Sequence, residues 1–158
     1  MKSLTSKWIG AALMLCAAIT VPPAQSLELR EALGHFESGA VTRMRCAADA
    51  KIGTRKEVSR FQILPSVWRN YSASQEFRDP EIAWSVAEKI LVQRREQFRR
   101  ATGRDWDPVD LYIMWNAPGV YEKAHWDRRR VSAIVMERAQ RFANLMGRKE
   151  QLLAQASP

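Results

Sequence analysis

Residues 34–40 read GHFESGA, the end of an apolar-faced helix that finishes on a carboxylate and a hydroxyl, Glu37 and Ser38, immediately before a glycine. Upstream, Leu29, Leu33 and Phe36 recur at helical spacing, and Gly39 can take the left-handed conformation that closes a helix. The pattern predicts a first helix over 27–38. A carboxylate in its last turn faces the negative end of the helix dipole, and Phe36 with neighbouring aromatics strips water from it; both effects favour the protonated form. Glu37 is therefore a candidate proton donor near neutral pH, against the plainer reading of a surface residue at a helix end.

Toward the N-terminus, Lys2 and Lys7 precede an apolar run from Ile9 to Val21, and Ala24-Gln25-Ser26 places small residues where a signal peptidase reads. Residues 1–26 are read as a signal peptide with cleavage before Leu27. The run falls short of the ~20 residues of a membrane span, and Cys16, preceded by Leu13-Met14-Leu15, lacks the small residues a lipid-anchor signal wants. Removing this leader takes two lysines and no acid, so the formal charge falls from +8 to +6. An exported basic protein meets cell-wall polymer and anionic membrane rather than nucleic acid; the leader implies export but not the final address. Cys46 alone remains, which excludes an internal disulfide and leaves the fold to a hydrophobic core. No metal-ligand spacing surrounds Cys46, His35 or His125, and neither a metal nor a cofactor is expected.

Beyond the first helix, residues 40–57 carry no sustained period and read as a loop or small irregular lobe. Val58–Ile63 reads as a short strand, and Pro65-Ser66 opens a helix through Trp68 and Tyr71. Asp79-Pro80 and Asp107-Pro108 each pair a capping side chain with proline at the first helical position. The first starts a long helix to about Ala101 with the stripe Ile82, Val86, Ile90 and Leu91. The basic run Arg94, Arg95, Arg99 and Arg100 near its end reads as a solvated face. The second starts a helix through Trp115, stopped by Pro118-Gly119. A last helix spans about 129–146, with Ile134, Val135, Ala139, Phe142 and Leu145 inward and Gly147 after it; the polar tail 148–158 frays. The sum is one mainly α domain over 27–147, with at most a small irregular or β lobe after the first helix.

Two further stretches bear on Glu37. SRFQILPSVW at 59–68 and LYIMWNAPG at 111–119 each set an uncharged amide, Gln62 or Asn116, among aromatics. Amides offer both donor and acceptor, and Trp68, Tyr71, Tyr112, Trp115 and Tyr121 offer flat apolar surfaces, a combination suited to a sugar chain. Trp84 reads as core.

Glu-Ser-Gly at the end of a first helix, then Phe-Gln-x-x-Pro, then a hydrophobic helix running into Asn-Ala-x-Gly, resembles the lysozyme-like soluble lytic transglycosylases, with goose-type lysozyme a more distant relative. The resemblance covers about residues 27–146 and implies a single lysozyme-like helical domain. It implies Glu37 as the catalytic acid and base, Ser38 as its buttress, Gln62 in the sugar groove with Phe61 and Ile63 as apolar flanks, and Asn116 beside the reacting sugar. Tyr112 and Trp115 count with them as substrate-binding. The chain departs from the family pattern where Ser59-Arg60 stand in place of a glycine before the glutamine, in a longer and charge-rich segment from Glu37 to Gln62, in Trp115 for a tyrosine, and in Pro118 inserted before Gly119.

The implied substrate is the glycan strand of peptidoglycan, cut by a monomer between N-acetylmuramic acid and N-acetylglucosamine to leave a 1,6-anhydro end, and with that wall substrate the resemblance implies a periplasmic or secreted bacterial location. A hydrolytic lysozyme would instead need a second carboxylate to activate water, about 6.5–9.5 Å away in an inverting enzyme. Asp49 and Glu57 are the nearby candidates, though both read as solvated loop charge balancing Lys51, Arg55 and Lys56. Two non-enzymatic readings stand beside these: a wall-binding protein that keeps the groove without turnover, and a basic exported protein whose arginines make peripheral contact with anionic surfaces.

Overall fold

The computed structural model describes residues 25–156, with side chains over 29–147. Residues 1–24, with Cys16 and most of the leader expected over 1–26, lie outside the described residues. Six α-helices follow one another: α1 Gln25–Ser38, α2 Pro65–Trp68, α3 Pro80–Thr102, α4 Pro108–Asn116, α5 Pro118–Lys123 and α6 Ala133–Ala156. Among the described residues there is no sheet, only one antiparallel bridge between Val58 and Ile63. The chain is a mainly α single domain, as its periodicity predicts. No described helix is long and apolar enough to cross a membrane.

The helix starts follow their side chains. Asp79 accepts from the backbone N–H groups of Glu81 and Ile82, both at 2.9 Å, and Asp107 does the same for Val109 and Asp110. Each stands before a proline whose missing N–H costs nothing in a first turn. Gly39 and Gly103 close α1 and α3 at φ +85° and +70°, conformations only glycine takes without strain.

α4 is the buried axis. Val109 to Trp115 are all buried, and α3, α5 and α6 pack around it while α1 packs on α6. Phe36 of α1, Tyr112 of α4 and Phe142 of α6 meet there, with the Tyr112 and Phe142 rings stacked at 5.0 Å and Phe36 edge-on to both. An ionic knot secures the α4 start: the fully buried Asp110 accepts from Arg104, Arg128 and the Tyr121 hydroxyl. Burial pushes its carboxyl up, but those donors outweigh it and hold it at about 2.

Several boundaries differ from the sequence reading. Val58–Ile63 is a tight turn, closed by Val58 N–H to Ile63 O at 2.8 Å and the reverse bond at 2.9 Å, so no strand can run through it. α2 stops at Trp68, whose indole N–H donates to Ser74 O at 2.7 Å, and the chain turns before Tyr71. Pro118 opens α5 as well as ending α4. Arg128–Arg130 form a separate single turn capped by Asp127, and α6 begins later, at Ala133. Its backbone continues through Gly147 to Ala156; one glycine lowers helix propensity by only ~1 kcal/mol. Ile134 is exposed rather than inward, because it lies in the first turn of α6, while Ala139 and Phe142 face the core.

Candidate active site

Glu37 sits in the last turn of α1, whose closing bond is Gly39 N–H to His35 O at 2.8 Å. Its side chain is 10% exposed. The Tyr112 hydroxyl donates to Glu37 Oε1 at 2.7 Å, and Arg138 Nη2 of α6 donates to that hydroxyl oxygen at 2.9 Å while standing 3.9 Å from Glu37 Oε2. Burial raises the Glu37 carboxyl above its ordinary value; the Tyr112 hydrogen bond and the charges of Arg138 and Lys51 oppose this, and Glu57 adds to it. The Tyr112 hydroxyl is itself raised, by burial and by the adjacent carboxylate, so it stays protonated and donates to Glu37 while accepting from Arg138. Oε1 is thereby occupied, which leaves Oε2 to carry a transferable proton.

Glu37 opens onto a groove of about 890 Å³. Gln62, Trp115 and Asn116 line the same groove, so three residues more than twenty positions from Glu37 in the chain share its walls. Gln62 lies at φ +50° in the turn that follows Ser59, itself at φ +65°. Its amide nitrogen donates to Lys51 O and Ser59 O at 3.2 and 3.0 Å, while its oxygen accepts no hydrogen bond among the described residues. Asn116, at the end of α4, is exposed and makes no side-chain hydrogen bond among the described residues.

No family model, curated protein or solved structure matches the chain.

The remaining expected site residues stand elsewhere. Ser38 turns its hydroxyl back to Gly34 O at 2.9 Å, fastening the helix end beneath Glu37 rather than lining the groove. Phe61 is fully buried against Trp84. Tyr112 is fully buried and acts on Glu37 through its hydroxyl, not as a platform. Trp68 and Tyr121 are core, and Tyr71 bonds Gln93; of the aromatic surfaces expected for sugar stacking, Trp115 alone lines the groove.

Asp49 is no solvated loop charge. It is buried in a pair with Arg60 at 2.6 Å, and although burial pushes its carboxyl up, Arg60 and the Cys46 N–H hold it below its ordinary value. Arg60 also donates to Thr42 O and Met44 O, so this pair anchors the long loop after α1. Glu57, in contrast, lines the groove with Glu37 and accepts from the Arg55 N–H at 2.8 Å. The loop places Lys51 and Gly53 there too.

Periodicity misses Arg138 because it lies on a helix whose polar face looks solvated in sequence. It misses Gly53 as well. A Cβ there would fall 2.6 Å from Gln62 Oε1 and closer still to Glu57 Oε2, so only glycine lets both side chains close over the loop. The described residues hold no group of His, Cys, Asp and Glu fit to bind a metal.

Proposed function

We propose that this chain is an exported lytic transglycosylase that cleaves the glycan strand of peptidoglycan. The observation that carries the reading is a desolvated carboxyl, Glu37, held by Tyr112 on one oxygen and opening onto a groove with Gln62 and Asn116. Ser59 supports it: standing where the resembled family has glycine, it takes the left-handed conformation a glycine would take, φ +65°.

In the proposed reaction Glu37 Oε2 gives its proton to the glycosidic oxygen as the bond from that oxygen to the muramyl anomeric carbon breaks. The substrate's own N-acetyl oxygen meets the developing positive charge. The muramyl 6-hydroxyl oxygen then bonds to the anomeric carbon and its proton passes to Glu37, which regenerates the acid and yields a 1,6-anhydro end. Tyr112 and Arg138 stabilise the transient carboxylate through the hydroxyl and the guanidinium. Gln62 Oε1 and the Asn116 amide supply free hydrogen-bonding groups for the sugars.

Glu57 favours a second reading. It is a carboxylate on the wall of the same groove, and a water activated there would make the chain a hydrolytic muramidase. Incubating residues 27–158 with purified sacculi, beside Glu37→Gln, and mass-analysing the soluble fragments tests both. Anhydromuramyl ends lost in the variant establish the transglycosylase. Reducing ends lost in Glu57→Gln establish the hydrolase, and no fragments from folded protein leave a wall-binding groove.

A further inference from the structure

We propose that the groove selects a glycan strand bearing carboxylates, gripped by Arg94 and assisted by Lys123. The inference deepens the glycan reading of this groove and rests on it.

Sequence periodicity puts Arg94 on a solvated face. It is instead half-buried on α3, with Nη1 donating to the carbonyls of Met114 and Trp115 at 2.8 and 3.0 Å and the guanidinium 5.7 Å from the Trp115 ring centre. Its Nε and Nη2 make no hydrogen bond among the described residues. The buried arginines Arg30 and Arg60 each have a carboxylate partner, Glu81 and Asp49. Arg94 forms no such ion pair among the described residues, and burial without an acid lowers it to about 10. It therefore remains charged at neutral pH, as a cation taken partly out of water without an anion, an arrangement that costs free energy until a ligand supplies one.

The surroundings point the same way. Lys51, Arg55 and Lys123 line the groove with Arg94, and none forms an ion pair among the described residues. Arg138 lines it too but is engaged with Tyr112 and Glu37. Against these the groove sets only the carboxyls of Glu37 and Glu57. A neutral polymer of N-acetylglucosamine brings no counter-charge to such a wall. A strand with lactyl or peptide-stem carboxylates does, and two free guanidinium nitrogens suit the two oxygens of a carboxylate.

The test is binding, read separately from cutting. Glu37→Gln protein is co-sedimented with sacculi freed of phosphate polymers, either native or with their carboxyls amidated. Amidation is expected to weaken binding about tenfold. Adding Arg94→Gln or Lys123→Gln is expected to cost about fivefold on native sacculi and little on amidated ones. The exposed Arg100, outside the groove, gives the charge-matched control Arg100→Gln, expected to change affinity less than about twofold. If Arg94→Gln unfolds, Lys123→Gln and Lys51→Gln carry the comparison.

Equal losses in Arg100→Gln, equal binding to amidated sacculi, or no binding at all overturn the proposal. The selective pattern from a chain that releases no fragments as wild type would remove the catalytic reading and keep the carboxylate site. Cutting with no effect of amidation on binding would do the reverse.

Discussion

The Tyr112 hydroxyl reaches Glu37 Oε1 at 2.7 Å across 75 positions of sequence. This bond favours the ionised form of a carboxyl whose pKa burial raises, and with the neighbouring charges of Arg138, Lys51 and Glu57 the two influences set where Glu37 titrates.

Tyr112→Phe removes that donor and should raise the Glu37 pKa further. The limb of the pH–rate profile on which activity falls with rising pH, where Glu37 loses its proton, should move to higher pH, with cleavage reduced about 10–100-fold. Carbon NMR of the Glu37 carboxyl follows the same shift without any substrate. An unmoved titration would show that the hydrogen bond does not tune the acid.

Glu37→Gln should stabilise the fold increasingly as pH rises above the ordinary carboxyl range. A carboxyl whose folded pKa is raised favours folding most fully below its unfolded value of about 4.5, and that contribution is lost as pH rises through the folded pKa. As pH rises through the folded pKa, the native protein acquires a desolvated carboxylate that the amide avoids. Melting curves should therefore coincide near pH 4 and separate progressively as pH rises above the unfolded value; a variant equally destabilised at every pH would contradict the burial argument.

The core reads plainly from sequence because its determinants are local. Asp-Pro pairs name two helix starts, Gly39 names one end, and a stripe such as Val86 and Ile90 names a face. The groove is half legible: Glu37, Gln62, Trp115 and Asn116 share it, as their residue types suggest. Arg138, Arg94 and Glu57 escape because periodicity labels every charge on a helix or loop as solvated until tertiary packing decides otherwise. Tyr112 reads wrongly as a platform for the converse reason: an aromatic in an apolar helix does not disclose which neighbour its hydroxyl meets.

Asp110→Asn should lower stability by about 2–4 kcal/mol in urea unfolding, since it leaves Arg104 and Arg128 facing a buried neutral group. The lower part of the range reflects the solvent that reaches both arginines, 46% and 31% exposed. Asp110 is depressed to about 2 from an ordinary 3.8, so its contribution is present above the unfolded value and lost as pH falls through the folded one. Wild type should lose stability across that acid window, and the variant should lack this step.

Gly53→Ala should impair the groove while sparing the fold. The added methyl displaces the ends of two flexible side chains, Glu57 and Gln62, which can rotate away for about 1 kcal/mol or less, and it presses on the Glu57 Cβ at 3.1 Å, which must give by a small shift. Glycan cleavage is expected to fall about tenfold with the urea midpoint nearly unchanged. Parallel loss of midpoint and activity would place the damage in the loop backbone instead.

Glu37, Tyr112 and Arg138 come from the first, fourth and last helices. No contiguous fragment shorter than about two-thirds of the chain contains all three. A nascent chain still emerging, or one clipped before α6, thus carries its acid without the guanidinium that completes the cluster. The Glu37 titration therefore changes when the C-terminal helix docks, and it serves as an intrinsic clock for that late step of folding.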